Sequence, residues 1–228
     1  MHIESPSPES LRRVHIGCGL TFLEGWINCD GGPSARLFSA LPRPLRSALK
    51  RSGILGRGTK TFWTFMDSHP IVYANAHEFL PFPSNSVDII YSSHMIDCLT
   101  TTQISRFFQQ AFRILKPGGE IRLAGMDLDR VVQNYVHNSD TSTLLISISY
   151  PDPKEEKLFT RLKQALFPPT IYLAHLNFSM YKMMLKKAGF ESIIHLAPGE
   201  TRLSHYEPIN LWQRQGESIY VEARKPLH

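Results

Sequence analysis

Two glycines around a cysteine, Gly17-Cys18-Gly19, follow directly on the short strand-like run Arg13-Val-His-Ile16, and a carboxylate, Asp30, stands eleven residues beyond Gly19. Glycines at a strand end let the backbone come close to a ligand and take dihedrals that other residues avoid. A carboxylate at the end of the next strand can accept both hydrogen bonds of a ribose diol. Dinucleotide sites use G-x-G-x-x-G with the acid about 20 residues further on. Here the third glycine is absent and the acid comes early, which argues against a dinucleotide and a nicotinamide-dependent oxidoreductase. Two further side chains suit general-base work: His94, whose type titrates near neutral pH, and Asp127. Each has a structural alternative, His94 as a helix-start residue bonded to backbone and Asp127 as the cap of a helix beginning near Leu128. His175 and Tyr172 are candidates to enter a substrate pocket, with core packing as the rival role. Cys18, Cys29 and Cys98 are odd in number and lie in unrelated contexts, so neither a disulfide framework nor a metal site is expected.

The elements that must position these groups read as alternating strands and helices. After Arg13–Ile16, strands are expected at Trp26–Cys29, Ile71–Ala74, Val87–Tyr91, Glu120–Ala124, Ser192–Leu196 and Ser218–Ala223. Between the fourth and fifth, Ile104, Phe107, Phe108, Ala111 and Leu115 form one apolar helical stripe, which Lys116-Pro-Gly-Gly119 should stop. Further helices are expected over Leu128–Val136, over Glu155–Leu166, and from an N-cap at Ser179 to Gly189. Such alternation predicts a mostly parallel α/β sheet, whose ligands sit beyond the carboxyl ends of the strands at the switch in strand order.

With 42% hydrophobic and 20% charged residues over 228 positions, the chain can build one domain with a sizeable core. Residues 1–11 read as a flexible Ser/Pro-rich arm without the apolar stretch of a secretory signal, and 12–228 as a single domain. No apolar run reaches membrane-spanning length. The net charge of +5 is unevenly placed. Within an insertion at about 31–70, residues 36–60 carry Arg36, Arg43, Arg46, Lys50, Arg51, Arg57 and Lys60 and no acid, so the chain outside 36–60 sums to −2. A local basic insert suggests a local contact, such as a membrane surface or a phosphorylated substrate, more than a general nucleic-acid surface. Its apolar residues suggest a short amphipathic helix broken by Pro42, Pro44 and Gly53. A soluble protein of a reducing, cytoplasmic compartment is the expectation.

In sequence order, HIGCG, EGWINCD, LPFPSNSVDIIYSSHMID, FRILKPGGEIRLAGMDLD, LKKAGF and SIYVEARK resemble a class I S-adenosylmethionine-dependent methyltransferase. More narrowly, they are similar to compact bacterial proteins of the type 11 group with a Gly-Trp-x-Asn-x-Asp second strand. The likeness covers roughly 14–30 and 71–135, and more loosely 175–225. It implies a Rossmann-like sheet with its last strand antiparallel and helices on both faces, and S-adenosylmethionine as cofactor. It also implies methyl transfer to a small-molecule or carbohydrate-like acceptor. By the resemblance, Gly17, Cys18 and Gly19 lie under the methionine portion and Asp30 binds the ribose. Asn75, Ala76 and His77, with Phe79 and Leu80, line the adenine side, Asn75 standing where an Asp is usual. Ser92, Ser93 and His94 face the sulfonium and the substrate, with His94 or Asp127 as general base. Ile96-Asp97-Cys98 departs from the Leu-Glu-His common in the family. That departure leaves open an alternative, a catalytically inactive binding module on the same fold.

Overall fold

Residues 11–138 and 173–227 are described in the computed structural model of the protein. Seven strands form one sheet: β1 (Arg13–Ile16), β2 (Ile27–Asp30), β3 (Ile71–Tyr73), β4 (Val87–Ser93), β5 (Leu115–Met126), β6 (Glu191–Leu196) and β7 (Ser218–Arg224). Their order is β3-β2-β1-β4-β5-β7-β6. Strands β1 to β5 pair in parallel, and β7 runs antiparallel to both β5 and β6. The order reverses between β1 and β4, so the glycine turn after β1 lies at the switch point where such sheets bind ligands.

Side-chain alternation divides the sheet into two unlike faces. Val14, Ile16, Ile90, Ile121, Leu123, Ile219, Val221 and Ala223 form the main core with α4 (Thr101–Ile114) and the later helix Phe178–Lys187. The α4 stripe Ile104, Phe107, Phe108 and Ala111 is wholly buried. Its first turn is closed by a capping box: Gln103 N–H donates to Thr100 Oγ1 at 3.3 Å, and Thr100 N–H to Gln103 Oε1 at 2.8 Å. The helix ends at Ile114, just before Lys116-Pro-Gly-Gly119, as expected, but those four residues lie inside the next strand rather than ahead of it. Strand β5 starts at Leu115 beside Val87, and a register shift absorbs them before Glu120 pairs with Ile89. Gly118 takes φ +77°, a conformation other side chains resist.

The opposite face carries polar residues: His15, Asn28, Arg122 and Glu222 are all buried there. Only ten residues, 17–26, join the parallel strands β1 and β2, and they contain no helix. Asn28 makes this short crossover work. Its Oδ1 accepts from Leu23 N–H at 3.0 Å and its Nδ2 donates to Leu23 O and Trp26 O at 2.9 and 3.0 Å. Cover for this region comes from the β6–β7 connection, where Leu203, Ile209 and Leu211 pack on Leu23, Trp26, Ile89 and Tyr91. Trp26 Nε1–H donates to Glu207 O at 3.0 Å, fastening the two loops together. The buried pair Arg122–Glu222, 2.6 Å apart, anchors the start of that connection: Glu222 also accepts from Thr201 Oγ1 and from Arg202 N–H.

The basic insertion forms three helices rather than one: α1 (Pro33–Ala40), α2 (Arg43–Arg51) and α3 (Arg57–Ser68). Pro33 and Pro44 fall in first turns, where a missing N–H costs nothing, so they start helices instead of breaking them. Ala35, Phe38, Leu55, Trp63 and Met66 give the insertion a core of its own. After β5, α5 (Leu128–Asn138) begins as expected. The last helix, α6 (Phe178–Lys187), is capped by Asn177, whose Oδ1 accepts Met180 N–H at 3.1 Å; the expected cap, Ser179, lies within its first turn. The expected helix at 155–166 and Tyr172 lie outside the described residues.

Candidate functional site

At the end of β1 the chain reverses through Gly17 (φ +74°) and Gly19 (φ +51°), and the N–H groups of Gly17 and Cys18 both donate to Cys29 O at 2.9 Å. The two glycines serve different ends. A Cβ at Gly17 would lie 2.5 Å from Met95 Cβ, so this glycine admits the residue that follows His94. At Gly19 nothing stands within 4 Å of the corresponding position, and the backbone is open there.

Asp30, at the end of β2, turns toward this bend. Its Oδ2 accepts Gly19 N–H at 3.1 Å and its Oδ1 accepts Gly32 N–H at 2.9 Å. Burial pushes its carboxyl above the ordinary aspartate value, opposed by these two hydrogen bonds. Each carboxylate oxygen keeps a second lone pair for a ligand donor. Gly31, unremarked as a site residue, is needed for closeness: a Cβ there would lie 2.7 Å from Asn75 Cα, and Ala74 N–H donates to Asp30 O at 3.1 Å. The β2 and β3 ends are thereby clamped together, placing Asn75 beside Asp30. Asn75 Oδ1 accepts His77 N–H at 3.3 Å, and its backbone O accepts from Phe79 N–H at 3.1 Å. Ala76 and Leu80 are buried in the main core, while Phe79 is exposed. His77 Nε2 lies 3.2 Å from Gln103 Nε2, tying this turn to the start of α4.

The end of β4 supplies Ser92, Ser93 and His94. Ser92 is buried and its hydroxyl has no hydrogen-bond partner among the described residues. His94 takes φ +53°, and both its ring nitrogens are engaged: Nδ1 lies 2.8 Å from Asp97 Oδ2 and Nε2 lies 2.9 Å from Ser218 Oγ. Asp97 is 1% exposed and also accepts Met126 N–H at 3.0 and 3.2 Å. Within Ile96-Asp97-Cys98, Asp97 thus places a carboxylate that locks His94 to the end of β5. Ser218 was not legible as a partner, since it lies 124 residues from His94 in the chain. Nor was Gly125, where a Cβ would lie 2.9 Å from Asp97 Oδ1.

Asp127 Oδ1 accepts Asp129 N–H at 3.1 Å and Arg130 N–H at 3.4 Å, capping α5. Burial and then Asp30 push the Cys18 thiol up to about 12; burial, Asp97 and Asp30 push Cys98 up to about 11. Both therefore stay protonated and unreactive at neutral pH. Among the described residues there is no group of three or more His, Cys, Asp or Glu arranged to hold a metal.

A family model described as a methyltransferase domain matches residues 49–123, from α2 into β5. The chain is also similar to solved structures of S-adenosylmethionine-dependent methyltransferases. One from Archaeoglobus fulgidus is 15% identical over 95% of this chain and 87% of that one, with a TM-score of 0.51. One from Methanosarcina mazei is 16% identical over 96% and 94%, with a TM-score of 0.50. No curated protein matches the sequence significantly. The fold is that of the class I methyltransferases.

On this methyltransferase fold, the residues at the strand ends fit the cofactor that the fold implies. The space over Gly19 is open, Asp30 presents a carboxylate with spare acceptor capacity, and Ser92 holds a buried hydroxyl without a partner among the described residues. Gly17, Cys18, Gly19, Asp30 and Asn75 are brought to one edge of the sheet. His94 and Asp127 stand at the ends of β4 and β5, near Ser218 and Glu217 at the start of β7, where Asp127 N–H donates to Glu217 O at 3.0 Å.

Proposed function

We propose that the chain binds S-adenosylmethionine at the ends of β1, β2 and β4 and directs its methyl group to a small-molecule or carbohydrate-like acceptor. The observation that carries this reading is the pairing of an open glycine, Gly19, with a buried carboxylate that reaches back to its N–H. Asp30 holds the ribose diol, which a charged acceptor binds more strongly than a neutral one. Gly17, Cys18 and Gly19 bound the methionine portion with bare backbone. Asn75, Ala76 and His77 border the adenine, Asn75 through the second lone pair of Oδ1. Ser92 and Ser93 orient the reacting end beside His94.

The cofactor supplies an electrophilic methyl group, so the protein contributes alignment and exclusion of water. Where the acceptor is a weak acid, His94 takes its proton, held in orientation by Asp97; Asp127 is the second candidate for that role. Three free cysteines accord with work in a reducing, cytoplasmic compartment.

A second reading has one observation in its favour. Both nitrogens of His94 are occupied within the protein and Asp127 serves as a helix cap, as in a binding module without catalysis. The two are separated by incubating the protein with the methyl donor and a panel of sugars and small hydroxylated or amino compounds, and measuring the demethylated product. An active enzyme releases it with a particular acceptor, and His94→Ala then lowers turnover while donor affinity is retained. Donor binding without release for any acceptor would support the inactive module.

A further inference from the structure

We propose that α2, with the adjoining ends of α1 and α3, is a contact surface for anionic phospholipid headgroups. This goes beyond the methyl-transfer reading and does not depend on it. Between Asp30 and Asp67 the chain holds seven cations and no acid. Two of the seven make contacts within the protein: Lys50 pairs with Asp67, and Arg46 lies 4.1 Å over the Phe38 ring. Arg36, Arg43, Arg51, Arg57 and Lys60 are exposed and have no ion pair among the described residues. Helix α2 buries none of its side chains fully. Leu49 leans on the core of the insertion, while Leu45 and Ile54, which alternate in sequence with Arg43, Arg51 and Arg57, stand 51% and 52% exposed.

Exposed apolar side chains in the same short segment as unpaired cations suit an interface with a charged outer layer and an apolar layer below it. A membrane surface gains from both terms: the cations meet acidic headgroups, and the apolar tips enter the acyl boundary. A nucleic acid would use the cations but has little use for Leu45 and Ile54. A single strand would also call for rings to stack on bases. Here Phe38 and Trp63 are buried, Phe62 is half-buried in the insertion's core, and Phe65 stacks on His69. The −2 charge of the remaining chain further confines attraction to this one patch.

The test is sedimentation of the full chain with phosphatidylcholine vesicles, with and without phosphatidylserine, at low and high salt. The protein is expected to sediment only with phosphatidylserine vesicles, and less as salt rises. Reversing three charges (R43E/R51E/R57E) is expected to weaken that binding by about a hundredfold or more. Replacing the two apolar tips (L45S/I54S) is expected to weaken it by roughly tenfold at unchanged charge. All five positions are exposed, so melting curves are expected to match the parent; if the charge-reversed variant fails to fold, L45S/I54S still decides. Equal sedimentation with both vesicle types overturns the proposal. So does binding to single-stranded oligonucleotides that is tighter than to vesicles at the same salt and indifferent to L45S/I54S.

Discussion

Gly19 N–H and Asp30 Oδ2 are 3.1 Å apart, so the bend after the first strand and the acid after the second form a single unit. With Gly32 N–H on Oδ1, the carboxylate is fixed against rotation before any ligand arrives. Preorganisation of this kind spares a ligand the cost of ordering its acceptor. Asp30 also begins from a carboxyl raised by burial, a bias against ionisation that a ligand donating two hydrogen bonds would offset.

The two glycines of the turn are expected to respond differently to the same substitution. Gly19→Ala introduces a methyl into open space at φ +51°, costing about 1 kcal/mol of stability, yet it should weaken donor binding at least tenfold by filling the space above the turn. Gly17→Ala adds a collision with Met95 to a φ of +74° and is expected to cost about 3 kcal/mol. Urea denaturation separates them, and in a Met95→Gly background, which removes the colliding Cβ, Gly17→Ala should cost less.

The role of Asp97 is tested by comparing two substitutions. Asp97→Ala removes an acceptor of the Met126 N–H and releases His94 Nδ1, for an expected loss of about 3 kcal/mol. Asp97→Asn keeps an acceptor oxygen for Met126 and should lose less than half as much. Equal losses in denaturation experiments would mean that packing, not hydrogen bonding, sets the cost.

His15 predicts a pH dependence. It is buried against Tyr91, its Nδ1 3.1 Å from Asn28 Oδ1, and burial lowers its pKa from 6.5 to about 4. A base with a depressed folded pKa stabilises fully above its unfolded value and loses that contribution as pH falls toward the folded one. Between pH 7 and 4.5 the protein should lose about 2 to 3 kcal/mol through this group. In His15→Gln, which can still donate to Asn28, the stability difference between the two pH values should shrink by that amount in urea titrations.

Much of this architecture is visible in the sequence because local patterns and tertiary needs agree. The stripe from Ile104 to Ala111 is buried as one face of α4, and the strands at residues 13–16 and 218–224 alternate as the sheet requires. Lys116-Pro-Gly-Gly119 marks the end of the helix but not the start of β5, because turn-forming residues can also be absorbed by a strand irregularity when β4 lies alongside. In the insertion, prolines are equivocal locally: they end helices or begin them, and only the packing of Phe38 and Trp63 decides which. Gly17, Gly19 and Asp30 are legible since strand, turn and acid are close in sequence. The His94–Asp97–Ser218 network is not, because antiparallel pairing of β5 and β7 assembles it from distant segments. Asn28, read only as part of a motif, proves to replace a crossover helix by hydrogen-bonding its own connection.

Calorimetric titration of the protein with S-adenosylmethionine, alongside Asp30→Ala, tests the central claim most directly. Saturable binding at one site per chain is expected for the parent. The Asp30→Ala protein, with unchanged circular dichroism, should bind about a hundredfold more weakly, as loss of hydrogen bonds to a charged acceptor implies. Undiminished affinity in Asp30→Ala, or no heat of binding in the parent at all, would contradict it.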